Sequence, residues 1–187
     1  MATQRPIRIE FELAEEDLDY FRDRLRAAQE KYGSKNEAEI IQGAETLATR
    51  TEASKVPAFV EDRLDTLRQM IAMLKDPDWR LEGEDRQHVL NALTYFADPE
   101  DLIPDAIPGI GLLDDAIMID LASNELRPEI DAFAEFCENR EELAAGAEDA
   151  EPLNVSRDLL QNRMRRQRRR AARRDYARSA SYTLFRS

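Results

Sequence analysis

Two groups of residues have the types and spacing to do chemistry. The first is a set of five aspartates, Asp98, Asp101, Asp105, Asp114 and Asp115, set among Pro99, Pro104, Pro108, Gly109 and Gly111. Carboxylate oxygens gathered on one loop suit a hard divalent cation such as magnesium or calcium. Asp101, Asp105, Asp114 and Asp115 are the candidate ligands. With a metal-activated water they would make a divalent-metal-dependent hydrolase. The same residues also have a structural reading. Asp98 before Pro99 is an N-cap followed by proline at the first helical position. Asp114 and Asp115 fall in the first turn of an apolar helix, where the dipole favours each negative charge by about 0.3–1 kcal/mol. The calcium loop of the EF-hand is not matched, because its spacing and terminal glutamate are absent.

The second group is cationic. Arg163, Arg165, Arg166, Arg168, Arg169, Arg170, Arg173 and Arg174 lie within twelve residues, in a chain with 23 arginines and only four lysines. The planar guanidinium fork matches phosphate and stacks on bases. Tyr176, Tyr182 and Phe185 follow, available for stacking or for a membrane interface. Six to eight such contacts to DNA would give a salt slope of roughly −5 to −7. The plainer reading is a solvated tail, or one that neutralises its own acidic body.

Charge is unequally divided. Residues 157–187 hold 11 basic and two acidic residues, a net +9, while residues 1–156 hold 16 basic and 37 acidic residues, a net −21. The body repels nucleic acid and anionic lipid, and the C-terminal region attracts both. One cysteine, Cys137, rules out an internal disulfide and fits a reducing compartment. With His88 the sole histidine, no Cys/His zinc set can be assembled. No G-x-S-x-G turn, G-x-G-x-x-G or phosphate-binding G-x-x-x-x-G-K occurs. The apolar run Ala106–Leu113 is far short of the roughly 18 residues that a spanning helix needs.

The elements that must hold these groups are mostly helices. Residues 7–13 alternate, with Ile7, Ile9, Phe11 and Leu13 on one face, and predict one strand. A lone strand needs a partner, and the same strand of a second copy is the simplest. Leu18, Phe21, Leu25, Ala28 and Tyr32 predict a first helix. Ser34 with Glu37 reads as a capping box for a second, carrying Ile40, Ile41, Ala44, Leu47 and Ala48. Val60, Leu64, Leu67, Ile71 and Leu74 mark a third, stopped by Asp76-Pro77-Asp78. Trp79 then reads as a core plug at a helix junction, and His88 as a boundary residue. Further helices are predicted over about 84–97, 112–123 and from Pro128. A linker of small and acidic residues spans 144–152, and a last helix runs over about 155–176. Leu159, Leu160 and Met164 can dock that helix; beyond them it is polar on every side and is expected to fray.

The stretch from Leu93 to Ala116 resembles the signature of the YkvA-like family, a small bacterial domain of unknown function. The matching elements are Tyr95, the run Asp101-Leu102-Ile103-Pro104-Asp105, Pro108, Gly111, and the pair Asp114 and Asp115. The likeness covers about residues 89–123 and implies a helix–loop–helix unit with no established reaction. Relatives with longer apolar segments are membrane-associated. Here Asp114, Asp115 and Asp120 interrupt the segment. More faintly, the order strand, helix, Gly33-Ser34 turn, helix over residues 6–50 looks like a ribbon-helix-helix dimer. The first helix is long for that fold, and the outward strand face, Arg8, Glu10 and Glu12, is acidic, whereas a groove reader needs donors there.

The expected fold is all-α, a multi-helix bundle with one short N-terminal β-strand and a C-terminal arginine-rich helix or tail. Residues 1–52 form a strand-helix-helix unit suited to homodimerisation, 53–145 a helical core with the loop, 146–156 a linker, and 157–187 the basic tail. The expected function is a non-enzymatic interaction protein whose tail binds an anionic partner, be it RNA, DNA or an acidic surface. The expected location is cytoplasmic or peripheral at the inner membrane face. The metal-dependent hydrolase and a peripheral membrane protein are the alternatives.

Overall fold

The computed structural model describes residues 14–32, 36–50, 57–97 and 112–184, with side chains as far as Arg174 except those of Tyr32 and Arg50. These residues form seven α-helices: α1 Glu15–Tyr32, α2 Glu37–Arg50, α3 Ala58–Lys75, α4 Gly83–Leu93, α5 Leu113–Glu125, α6 Arg127–Ala144 and α7 Leu153–Leu184. A short 3-10 helix, Thr94–Ala97, continues α4. The fold is mainly helical, as expected, and no strand occurs among the described residues. The expected strand 7–13, the homodimer resting on it, and the Gly33-Ser34 turn lie outside them.

Helix α3 is the centre of the core. Val60, Leu64, Leu67, Met70, Ile71, Met73 and Leu74 are all buried, so its apolar stripe covers most of its circumference. It stops at Asp76, whose carboxylate accepts the backbone N–H groups of Asp78 at 2.9 Å and Trp79 at 2.8 Å. Arg140 of α6 donates to the same carboxylate at 2.6 Å. Burial alone would push Asp76 up, but these three donors outweigh it and hold the group below its ordinary 3.8. The turn so fixed delivers Trp79 into the core. It is fully buried, with ring centroids 5.7 Å from Phe133 and 5.1 Å from Phe136.

Helix α2 is capped by Asn36, whose Oδ1 accepts the N–H of Ala38 at 3.2 Å. Glu37 is free of that duty and pairs with Arg86 of α4. That hydrogen bond holds the Glu37 carboxyl below its ordinary value, against partial burial. Arg86 also donates to the carbonyls of Leu74 at 2.7 Å and Leu81 at 3.3 Å, so one guanidinium ties α2, α3 and α4 together.

Ile40, Ala44, Leu47 and Ala48 turn α2 inward. At Gly43 the helix meets the 3-10 turn so closely that a Cβ would lie 2.7 Å from both Ala97 Cα and the Phe96 carbonyl oxygen. Both are backbone atoms, so the clash cannot be relieved by a side-chain rotation. Gly43→Ala is therefore expected to destabilise the fold by about 1–3 kcal/mol, the cost of overpacking. A urea midpoint equal to that of the unaltered chain would show that the two backbones are not in contact.

Helix α5 follows the loop, with Met118, Ile119 and Ala122 in the core. Leu126, fully buried, joins it to α6, which has proline in its first turn. Ile130, Ala132, Phe133 and Phe136 face inward from α6. The expected linker 144–152 is a turn braced by Asn139, which donates to the Glu151 carbonyl at 2.8 Å and accepts its N–H at 2.9 Å. Helix α7 then returns along α6. Arg163 reaches Glu135 and Arg168 reaches Glu129, so the two helices run antiparallel. Among the described residues no helix is long and apolar enough to cross a membrane.

Candidate functional site

Beyond Met164 the arginine-rich helix does not face solvent on every side: Arg165 and Arg168 turn toward buried acids. Met164 is fully buried. Gln161, also buried, donates to the Trp79 carbonyl at 2.7 Å. One turn on, Arg165 Nε donates to Asp85 Oδ2 at 2.6 Å, and its Nη2 to Gln161 Oε1 at 3.1 Å. Arg168 completes the group. Its Nη2 donates to Asp85 Oδ1 at 2.6 Å and its Nη1 to Glu129 Oε1 at 2.7 Å. One guanidinium therefore bridges α4 and α6 from α7.

Both carboxylates in this clamp are withdrawn from water. Glu129 is 0% exposed and Asp85 4%. Burying a carboxylate is tolerable only with an opposite charge and good hydrogen bonds. Burial of Arg168 lowers its proton affinity, but hydrogen bonds to Asp85 and Glu129 outweigh that and move its pKa upward. His88 Nε2 stands 3.9 Å from Glu129 Oε1. Its Nε2 and Glu129 Oε2 are buried without a hydrogen bond among the described residues. Beside the clamp lies a charged cleft of about 460 Å3, lined by Glu82, Glu84, Asp85, Arg165, Arg168 and Arg169.

The eight arginines divide by role. Arg165 and Arg168 are structural, and Arg163 pairs with Glu135 at 2.7 Å, half-exposed. Arg166, Arg169, Arg170, Arg173 and Arg174 are exposed. Among the described residues none of these five makes an ion pair. Their spacings of 3, 1, 3 and 1 place them in an arc of about 140° at 3.6 residues per turn, opposite Met164 and Arg168. The side of the helix that carries Met164 and Arg168 serves the fold; the five exposed guanidinium groups share the opposite arc with Arg163, which still reaches Glu135.

The aspartate loop is described only at its borders. Tyr95 is buried in the 3-10 helix, edge-on to Phe96 with ring centroids 5.5 Å apart. Asp114 and Asp115, 2% and 8% exposed, sit in the first turn of α5, where the dipole favours them. Asp101, Pro104, Asp105, Pro108 and Gly111 lie outside the described residues, as does Asp98. Among the described residues no group of three or more histidine, cysteine or acidic side chains is placed to hold a metal ion.

Sequence reasoning missed the clamp. The signal was present: Asp85 leads Val89 by four residues and Glu129 leads Phe133 by four, so each acid falls on an apolar stripe. On α7, Leu160, Met164 and Arg168 repeat the pattern. A charge in register with core residues points to a buried partner.

Residues 89–121 match the family model described as a protein of unknown function, DUF1232. The matched segment runs from Val89 of α4 through the loop to Leu121 of α5, and agrees with the YkvA-like signature read there. Neither Glu129 nor any part of α7 falls within it. No curated protein and no solved structure matches the chain.

Proposed function

Starting from a chain whose DUF1232 segment brings no known activity with it, we propose that this is a non-enzymatic interaction protein that presents the outward arginine face of α7 to an anionic partner. The observation that carries this reading is the division of labour along one helix. Three arginines are committed to Asp85, Glu129 and Glu135. Five more, in one arc, have no intramolecular partner among the described residues and are exposed. Solvated like charges at spacings of three and four repel one another on a helix. A polyanion relieves that repulsion and releases its own counterions. The clamp at the root makes the face rigid, which lowers the ordering cost of binding.

The test is retention on heparin, a polyanion with no bases and no lipid. The full chain is expected to elute at a salt concentration well above that of a variant with Arg166, Arg169, Arg170, Arg173 and Arg174 all changed to Gln. The five positions are exposed, so the variant should keep its helical circular dichroism. Equal elution of the two proteins would sink the proposal.

A further inference from the structure

We infer that the anionic partner is the major groove of duplex DNA, entered by the C-terminal part of α7; this rests on the polyanion reading above and names its partner. Three observations carry it. The first is reach. Arg168 lies opposite Glu129, and α6 begins at Arg127, so α7 leaves its supporting helix almost at once. The last of the five arginines, Arg174, stands six residues beyond Arg168, about 9 Å along the axis and about one Debye length at physiological salt. At Arg173 and Arg174 the repulsion between the acidic body and a phosphate backbone is partly screened.

The second is shape. An α-helix with its side chains is about 10–12 Å across, and the B-form major groove is about 12 Å wide and 8.5 Å deep. In the arc, Arg166, Arg170 and Arg173 are central, and Arg169 and Arg174 flank them. Central guanidinium groups face the groove floor, where guanine offers O6 and N7 to a bidentate fork. The flanking pair face the phosphate walls. The deep, narrow major groove of A-form RNA does not admit such a helix.

The third is the chemistry missing from the face. An interfacial membrane helix buries an apolar side. Between Arg166 and Arg174, the stretch that carries the five arginines, the only apolar residues are Ala171 and Ala172; Tyr176 and Tyr182 come after it in the sequence. The exposed Val155 and Leu159 of α7 stand seven or more residues before Arg166, near the root. Leu160 and Met164 are already taken into or against the core.

The experiment is fluorescence anisotropy of the full chain with a GC-containing 20-base-pair DNA duplex, the same sequence as duplex RNA, and phosphatidylserine vesicles. The duplex DNA is expected to bind at least about 10-fold more tightly than the other two. The two flanking phosphate contacts give a slope of about −1.8, so raising salt from 50 to 200 mM should weaken binding about 12-fold. Changing the five arginines to Gln should abolish binding. Changing Arg166, Arg170 and Arg173 to Lys should keep the salt slope but lose preference for GC over AT duplexes. Equal affinity for DNA, RNA and vesicles, or unchanged duplex binding by the Gln variant, overturns the groove assignment. Heparin retention without duplex preference leaves the broader reading standing, whereas failure on heparin and on all three probes removes both.

Discussion

Arg168→Ala is expected to lower folding stability by about 3–5 kcal/mol, the cost of removing one partner from a buried ion pair. Glu129 would lose its one hydrogen-bond donor among the described residues while staying 0% exposed. Asp85 would fare better, because Arg165 still donates to Oδ2. Arg166→Ala, two residues away on the exposed face, is the control and should change stability by no more than about 0.5 kcal/mol. The distinction is sharp because composition treats the two arginines alike. Pairing Arg168→Met with Glu129→Leu should recover most of the loss, since an apolar pair of similar volume avoids the desolvation cost. Urea unfolding followed by circular dichroism gives all three values. A loss under about 1 kcal/mol for Arg168→Ala would mean that Glu129 is hydrated and the clamp is not closed.

Trp79→Ala is the second large effect, also expected at about 3–5 kcal/mol. The indole is fully buried against Phe133 and Phe136, and its removal leaves a cavity that two aromatic rings cannot collapse to fill. Trp79→Phe should cost clearly less, because it keeps a ring against both. The damage should spread. The Trp79 carbonyl holds Gln161, and the turn that carries it is fixed by Asp76 and Arg140. Trypsin should therefore cut faster at Arg163 and Arg165 in the alanine variant than in the phenylalanine variant. Similar melting temperatures for both variants would show that the site repacks.

What could be read from the sequence follows from what periodicity reports. Val60, Leu64, Leu67, Ile71 and Leu74 recur at spacings of three and four, and all five are buried. Met70 and Met73 were not expected inside, because a stripe template counts one face while α3 is enclosed on several. Pro128 and Asp76 mark helix ends through local backbone chemistry, and the structure uses both. Asn36 accepts the Ala38 N–H at the start of α2, while Ser34 of the expected capping box lies outside the described residues. The clamp belongs to another category. Asp85 and Arg165 are 80 residues apart, and no local pattern links a carboxylate to a guanidinium at that distance. Composition made the arginines one basic block; only tertiary structure divides them into three that hold the helix and five that face outward.

The distance between Asp85 and its partners also sets an order of events during synthesis. At about 5–20 residues per second, the 80 residues that separate Asp85 from Arg165 take about 4–16 s to emerge. For that interval Asp85 has no guanidinium to receive it, and Glu129 has none for the 39 residues, about 2–8 s, that separate it from Arg168, so the pocket that later takes Met164 stays wet. The nascent body therefore waits in an open form, and the arrival of α7 is the step that dries it.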